Sequence, residues 1–188
     1  MNRLFLQVTG QPGSGKSESC RFLSDNYGFE TVLVSDLIRD FAHRRGLELT
    51  RRSDYKPAHA QMIAELGEYT IVDTIISTSA DLVCVDGIRV PAHSTRLRSR
   101  FGSKILALHC PPEIRFDRNQ QRSRATEKGI SFSEFLAEER QEDRSDDPFV
   151  QATLTVMEMA DFTVDSSRNK DKMFHDIAAI VEPLLTSA

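Results

Sequence analysis

The sequence predicts a three-layer α/β protein, in which a five-stranded parallel sheet carries helices on both faces. Five short apolar runs rich in β-branched residues indicate the strands: 4–8, 31–34, 82–85, 105–109 and 162–164. Their near-continuous hydrophobicity is typical of strands that are buried on both faces. Helical stretches alternate with these runs, which favours right-handed βαβ units. With 188 residues, the chain is long enough for one domain with a substantial core.

Stretches of helical spacing fill the intervals between the strands. The predicted helices are 16–26, 36–45, 55–79, 94–101, 112–124, 132–142, 147–159 and 170–186. The longest stretch is interpreted as two helices, because Gly67 lies near its middle and glycine disfavours a helix interior. The polar segment 125–131 contains Gly129 and is predicted to be a loop between two helices.

The first strand leads directly into a phosphate-binding motif. Residues 10–17 read Gly-Gln-Pro-Gly-Ser-Gly-Lys-Ser, which fits the Walker A pattern G-x-x-x-x-G-K-[ST] between a strand and a helix. Glycines let the loop curl its N–H groups toward an anion, Lys16 adds a charge for the β- and γ-phosphates, and Ser17 offers a hydroxyl to Mg²⁺. The predicted nucleotide-binding residues here are Gly10, Gly13, Ser14, Gly15, Lys16, Ser17 and Glu18.

The third strand ends in the acidic residue that a Walker A loop requires. Asp86 follows the apolar run 82–85, and we expect it to orient Mg²⁺ through water or to accept a hydrogen bond from Ser17. Arg89 comes within the next turn, where it would meet a bound anion. The alternative for Arg89 is an ordinary surface salt bridge.

The second strand is followed by Ser35-Asp36-Leu37-Ile38-Arg39. Ser35 or Asp36 can cap the next helix, which explains these two residues without any function. Arg39 lies one turn into that helix and is expected to point toward the crevice at the carboxyl ends of the strands.

These motifs together resemble the nucleoside monophosphate kinase family, which includes the adenylate kinases. That family has a similar Asp-x-x-Arg after its second strand, and the resemblance implies that Arg39 holds the acceptor's phosphate. It also has an arginine after the Asp-Gly of its third strand. Here Arg89 comes one residue sooner and the family's intervening proline is missing.

The resemblance extends to the second half of the chain. Arg118 and Arg122 match an arginine pair at the lid entrance, which implies contacts with the donor base and phosphates. Arg140 and Arg144 lie where family arginines reach back to the transferring phosphoryl group, although nearby acidic residues could pair with them instead. The segment 160–167 resembles the last strand of dephosphocoenzyme A kinases and of archaeal nucleotide kinase-like proteins, where the following loop lies against the donor adenine.

The resemblance implies an ATP- and Mg²⁺-dependent kinase that transfers the γ-phosphoryl group to a nucleoside monophosphate. The implied catalytic residues are Lys16, Arg39, Arg89, Arg122, Arg140 and Arg144, with Arg118 at the nucleotide and Ser17 and Asp86 at the metal. Within one domain, the core would comprise 1–35, 80–122 and 145–188, acceptor-binding helices 36–79, and a lid 123–144. If the acceptor is a hydroxyl, as in dephosphocoenzyme A, Asp36 is the first candidate base.

Composition restricts the partners. The net charge of −4 and the pI near 5.8 give no general attraction to nucleic acid or to an anionic membrane, so we expect a small-molecule partner and a monomer or homodimer. The three cysteines are far apart and form neither metal spacing nor a disulfide framework, which favours a reducing compartment. With no signal peptide or membrane-length apolar run, we expect a cytoplasmic protein.

Three other functions share the Walker A loop. A GTPase switch needs Asn-Lys-x-Asp to read guanine, and Asn169-Lys170-Asp171-Lys172 has the wrong spacing. A non-catalytic ATP-binding regulator is disfavoured by the presence of Arg39 and Arg89. A kinase for nucleic-acid ends is disfavoured by the acidic charge. The five histidines show no metal or triad spacing and receive no role.

Overall fold

The computed structural model describes residues 3–122 and 129–187. Its five strands are β1 (Leu4–Thr9), β2 (Glu30–Leu33), β3 (Leu82–Asp86), β4 (Lys104–His109) and β5 (Phe162–Asp165). They form one parallel sheet in the order β2-β3-β1-β4-β5, with Val8 of β1 opposite Asp86 of β3. This confirms the predicted α/β fold with a five-stranded parallel sheet.

Nine helices are described within these ranges. They are α1 (Lys16–Tyr27), α2 (Val34–Arg44), α3 (Tyr55–Leu66), α4 (Thr70–Ile76), α5 (Pro91–Phe101), α6 (Pro112–Arg122), α7 (Phe132–Asp143), α8 (Thr153–Glu158) and α9 (Lys170–Ser187). The predicted break in 55–79 falls at Gly67, whose φ of 98° ends α3. Of the predicted lid, residues 123–128 lie outside the described residues.

The sheet is buried on both faces by two apolar clusters. Phe5 of β1 belongs to one cluster with Val83, Val85 and helices α2 to α5, whereas Leu6 and Val8 belong to the other with α1 and α9. Successive side chains of a strand point to opposite faces, so one strand contributes to both clusters. This two-sided burial explains why the strands read as continuous apolar runs rather than as alternating ones.

The predicted helix 147–159 is wrong in its first half. Only Thr153–Glu158 is helical. The Asp147 side chain accepts a hydrogen bond from the Phe149 amide (2.9 Å), which forms a turn. The backbone then pairs with the β3–α5 loop: Ala152 N–H donates to the Arg89 carbonyl at 2.8 Å.

The carboxyl ends of the parallel strands carry the polar residues of interest. β1 leads into the 10–15 loop and α1, β2 into α2, and β3 into Asp86 and the loop that carries Arg89. In open parallel sheets, ligands bind at this edge. Among the helices within the described ranges, none combines the length and the hydropathy needed to cross a membrane.

Candidate phosphate-binding site

The 10–15 loop holds a conformation that only glycine permits at key positions. Gly13 has a φ of 79°, and a Cβ there would lie 2.5 Å from the carbonyl oxygen of Arg115. At Gly10, a Cβ would lie 2.8 Å from the Leu108 carbonyl oxygen. The loop therefore packs so closely on β4 and α6 that any side chain at these positions would displace it.

Lys16 and Ser17 begin α1 at the end of this loop. The Lys16 ammonium donates to the carbonyl oxygens of Gly10 (2.8 Å) and Gln11 (3.1 Å), which holds its charge over the loop. Ser17 Oγ donates to Asp86 Oδ2 at 2.9 Å, one of the two contacts that the sequence suggested for Asp86. Hydroxyl and carboxylate oxygens suit Mg²⁺, which usually keeps several waters and takes few protein ligands. The residues present therefore fit that ion.

A buried arginine supports the loop from behind. Arg115 of α6 is 2% exposed, and its guanidinium donates to the carbonyl oxygens of Cys110 (2.9 Å) and Pro12 (3.2 Å) and pairs with the equally buried Glu139 of α7. Arg115 was not among the site residues predicted from the sequence. The available signal was the spacing of Arg115, Arg118 and Arg122, which places all three on one helix face.

Arg118 joins the loop to the end of the sheet. Its guanidinium donates to the Gly13 carbonyl oxygen at 3.4 Å and to the Ser166 carbonyl oxygen at 2.7 Å, just beyond β5. Arg118 thus lies between the phosphate-binding loop and the segment after the last strand. This is the side of the loop where the resemblance placed the donor nucleotide.

One cavity of about 620 Å³ extends from this loop to α2, α3 and α5. That volume is within the range of roughly 300–1,000 Å³ found for small-molecule sites. The residues that sequence motifs predicted and that line it are Gly13, Gly15, Lys16, Ser17, Asp36, Arg39, Asp86 and Arg89. The phosphate-binding loop and the two arginines predicted to hold the acceptor thus line one cavity.

Both of these arginines already have acidic partners. Arg39 lies 2.5 Å from Asp36 Oδ1 and donates twice to the Tyr55 hydroxyl (3.2 and 3.3 Å). The hydrogen bonds with Tyr55 and the charge of Asp36 raise the pKa of Arg39. Arg89 donates to Glu142 Oε2 at 2.7 Å, and Glu142 itself is buried. A bound anion would compete with, or share, these carboxylates.

Two buried histidine rings also line the cavity. His59 and His93 are 4% and 1% exposed, and their rings meet edge to face with centroids 5.7 Å apart. Burial, with a smaller contribution from His93, lowers the pKa of His59 to about 4. Burial also lowers the pKa of His93, whose Nε2 lies 2.7 Å from the Glu68 carbonyl oxygen. The sequence analysis gave these histidines no role.

Several predicted residues lie outside the cavity. Glu18 of α1 pairs with Lys170 at 3.0 Å. Arg140 is exposed on α7, and Arg144 pairs with Glu158 at 2.5 Å on the surface. The Arg122 side chain lies outside the described residues. The structure thus brings the motif residues of α1, α2 and the β3–α5 loop together, but not those of the predicted lid.

The comparisons with known proteins agree with this geometry. The model of the AAA domain family matches residues 7–147. A UPF0200/UPF0201 protein of Archaeoglobus fulgidus is 32% identical over 184 residues, covering 94% of this chain but 54% of its own length. A UPF0200 protein of Thermococcus onnurineus is 28% identical over 97% of this chain and 98% of its own. A UPF0200 protein of Thermococcus kodakarensis is 31% identical over 64% of this chain and 69% of its own.

Solved structures resemble the chain in fold. TT1252 from Thermus thermophilus has a TM-score of 0.66 at 16% identity, covering 98% of this chain and 99% of its own. Shikimate kinase from Acinetobacter baumannii has a TM-score of 0.58 at 16% identity (100% and 95%), and a gluconokinase from Sinorhizobium meliloti has 0.53 at 18% (100% and 97%). The fold is that of P-loop kinases, and the chain belongs to the AAA domain family, with the UPF0200 proteins as its relatives.

Proposed function

We propose that the protein is an ATP-dependent phosphotransferase that moves the γ-phosphoryl group to a small phosphate-bearing acceptor, a nucleoside monophosphate. The observation that carries the proposal is the shared cavity, which Lys16, Ser17 and Asp86 line together with Arg39 and Arg89. We assign the first three residues to its donor end and the two arginines to its acceptor end. Phosphoryl transfer needs two phosphates held in line, neutralised charge and little covalent chemistry from the protein.

The donor end suits a nucleoside triphosphate. The loop N–H groups and the start of α1 favour the phosphates, and Lys16 adds a point charge near the β- and γ-oxygens. Ser17 and Asp86 would hold Mg²⁺, which neutralises charge on the phosphate oxygens when bound. Arg118 would contact the donor from its position between the loop and Ser166.

The acceptor end suits a phosphate with an uncharged body. The planar forks of Arg39 and Arg89 can grip phosphate oxygens in pairs, which a lysine cannot do. An acceptor phosphate is already ionised near neutral pH, so its attack needs no protein base. The lid residues Arg122, Arg140 and Arg144 would join on closure, although the buried Arg115–Glu139 pair anchors α7 to α6 and restricts how far that helix can move.

A second candidate is transfer to a hydroxyl. Asp36 lines the cavity, where its carboxylate could take the proton of an attacking alcohol. The names of two structural neighbours, shikimate kinase and gluconokinase, support a small-molecule acceptor of this kind. An acceptor such as dephosphocoenzyme A would use this chemistry.

An acceptor screen tests the proposal. Purified protein with Mg²⁺ and ATP is assayed for ADP formation with AMP, CMP, UMP, GMP, their deoxy forms and dephosphocoenzyme A. We expect strong stimulation by one or more monophosphates and none in the Lys16→Ala variant. Stimulation by dephosphocoenzyme A alone would establish the second candidate. Tight ATP binding with no stimulation by any acceptor would contradict the kinase proposal and favour a regulator.

A further inference from the structure

Two buried amide side chains line the cavity, and the described residues leave one polar atom of each without a hydrogen bond. Gln151 is 6% exposed and Asn119 is 5% exposed. Within residues 3–122 and 129–187, neither Gln151 Oε1 nor Asn119 Nδ2 has a hydrogen-bond partner. A buried polar group without a partner destabilises the folded protein, and most such groups in native structures are satisfied. An unsatisfied amide at the wall of a cavity therefore indicates a group that a ligand satisfies.

The backbone holds Gln151 beside the acceptor arginine. Residues 147–152 are not helical, and two hydrogen bonds attach them to the first turn of α5 and to the β3–α5 loop: Ala92 N–H to the Pro148 carbonyl (3.0 Å) and Ala152 N–H to the Arg89 carbonyl (2.8 Å). Gln151 immediately precedes Ala152, so this hydrogen bond holds the Gln151 backbone close to that of Arg89 at the acceptor end. The non-helical course of residues 147–152 therefore places this amide at the cavity.

The surroundings of Gln151 favour an uncharged partner. The same cavity is lined by Leu49, Tyr55, His59 and His93, and burial lowers the pKa of both histidines, which favours neutral rings at pH 7. Neutral rings offer stacking surface to a planar body and no charge to pair with an ionic one. An amide oxygen among them requires a donor, which a heterocyclic N–H or a hydroxyl supplies.

We propose that Gln151 is a specificity-determining residue, which recognises the body of the acceptor by accepting a hydrogen bond from its N–H or O–H group. The inference rests on the proposed phosphotransferase function and deepens it. It assigns the acceptor's phosphate to Arg39 and Arg89 and its heterocycle to Gln151. Because the backbone of the next residue, Ala152, pairs with that of Arg89, we expect the effect of Gln151 to fall on the acceptor.

Asn119 provides a comparison at the other side of the cavity. It lies on α6 directly after Arg118, which contacts Gly13 of the loop. Loss of the amide at Asn119 is therefore expected to lower the affinity for the donor nucleotide rather than for the acceptor. A third amide, Gln61 on α3, is exposed and bonded to Glu65, and it serves as a neutral control.

The test measures acceptor and donor binding separately in Gln151→Leu, Asn119→Leu and Gln61→Leu. Calorimetric titrations of AMP, CMP, UMP and GMP use protein saturated with a non-hydrolysable ATP analogue and Mg²⁺, and a second titration measures the analogue alone. Gln151→Leu is expected to lower the affinity for the monophosphate that the wild type binds best by at least tenfold, equivalent to about 1.4 kcal/mol. Its affinity for the analogue should stay within about twofold of the wild type, since a neutral hydrogen bond acts only on its partner.

A thermal unfolding measurement without ligand separates recognition from structure. Because Gln151→Leu removes an unsatisfied oxygen, its Tm should be no lower than that of the wild type. Unchanged monophosphate affinity in Gln151→Leu would overturn the inference while leaving the proposed function intact, and so would a lowered Tm with equal losses for both ligands. If the wild type neither binds nor phosphorylates any monophosphate, the proposed function and this inference both fall.

Discussion

The two ends of the cavity are built in different ways. The proposed donor end comes mainly from one continuous segment, residues 10–17, whose backbone N–H groups are expected to bind the phosphates. Arg115 and Arg118 hydrogen-bond to carbonyl oxygens of this loop. The acceptor end is assembled from α2, α3, α5 and the loop before α8, which are far apart in sequence. Under the proposed function, phosphate recognition is thus local and backbone-based, whereas acceptor recognition is distributed over side chains.

Removal of the Lys16 charge should give the largest effect. Lys16→Ala is expected to lower kcat by about 10²–10³-fold or more, because an electrostatic group aimed at the transition state is lost. Since the Lys16 ammonium donates to carbonyl oxygens of its own loop, thermal unfolding should change little. Lys172→Ala, which breaks an exposed pair with Asp176, is the control. Retained turnover in Lys16→Ala would remove the distinction between the two ends.

Loss of the buried ion pair behind the loop tests whether the donor end depends on its support. Arg115→Met leaves Glu139 charged and buried, and is expected to lower the free energy of unfolding by about 3–5 kcal/mol. Denaturation in urea measures it. The double variant Arg115→Met/Glu139→Leu should recover much of the loss. A surface pair serves as control, and Arg144→Met should change stability little. If Arg115→Met and Arg144→Met lowered the free energy of unfolding by the same small amount, the buried pair would not support the loop.

The buried histidines of the acceptor end should make stability depend on pH. The pKa of His59 is about 4 in the folded protein against 6.5 in the unfolded chain, so the unfolded chain binds more protons between these values. Stability from this group is present above pH 6.5 and is lost as the pH falls toward 4, by about 3 kcal/mol in total.

Urea denaturation at a series of pH values between 4 and 7 measures this dependence. His59→Gln should flatten it in part, leaving a remainder from His93, whose pKa is also lowered by burial. Exposed His43→Gln should leave the dependence unchanged. An identical pH profile in His59→Gln and the wild type would show that the acceptor end is open to water.

Removal of the Arg39 fork should separate the two ends kinetically. Arg39→Ala is expected to raise the acceptor KM about tenfold, the value of roughly one charge-assisted hydrogen bond, with the ATP KM within twofold. Arg45→Ala, which breaks an exposed pair with Glu65, is the matched control at the residue directly after the same helix. Equal changes in both KM values would argue against an acceptor role for Arg39.

The sequence was informative where a function is local. Strand positions were predicted to within about one residue, because burial on both faces leaves continuous apolar runs, and the Walker A loop was identified because its glycines and Lys16 are adjacent in the chain. The contact of Ser17 with Asp86 was also suggested, since neighbouring parallel strands bring their ends together.

The remainder depends on contacts between distant segments. Arg115 was missed because its buried partner, Glu139, is 24 residues away. Gln151 was missed because a helix was predicted over 147–159, whereas Asp147 forms a turn there. Only pairing with residues 89–92 brings Gln151 to the cavity. His59 and His93 show no motif spacing, and their shared burial follows from the packing of α3 against α5.

The most direct test of the account is the destination of the transferred phosphoryl group. Wild-type protein is incubated with ATP labelled at the γ-phosphate, Mg²⁺ and the monophosphate selected by the acceptor screen, and the labelled products are separated. The account predicts that the label appears in the corresponding diphosphate, with little in inorganic phosphate, and that Lys16→Ala gives neither product. Label found only in inorganic phosphate, at a rate that no acceptor changes, would contradict a cavity that holds donor and acceptor together.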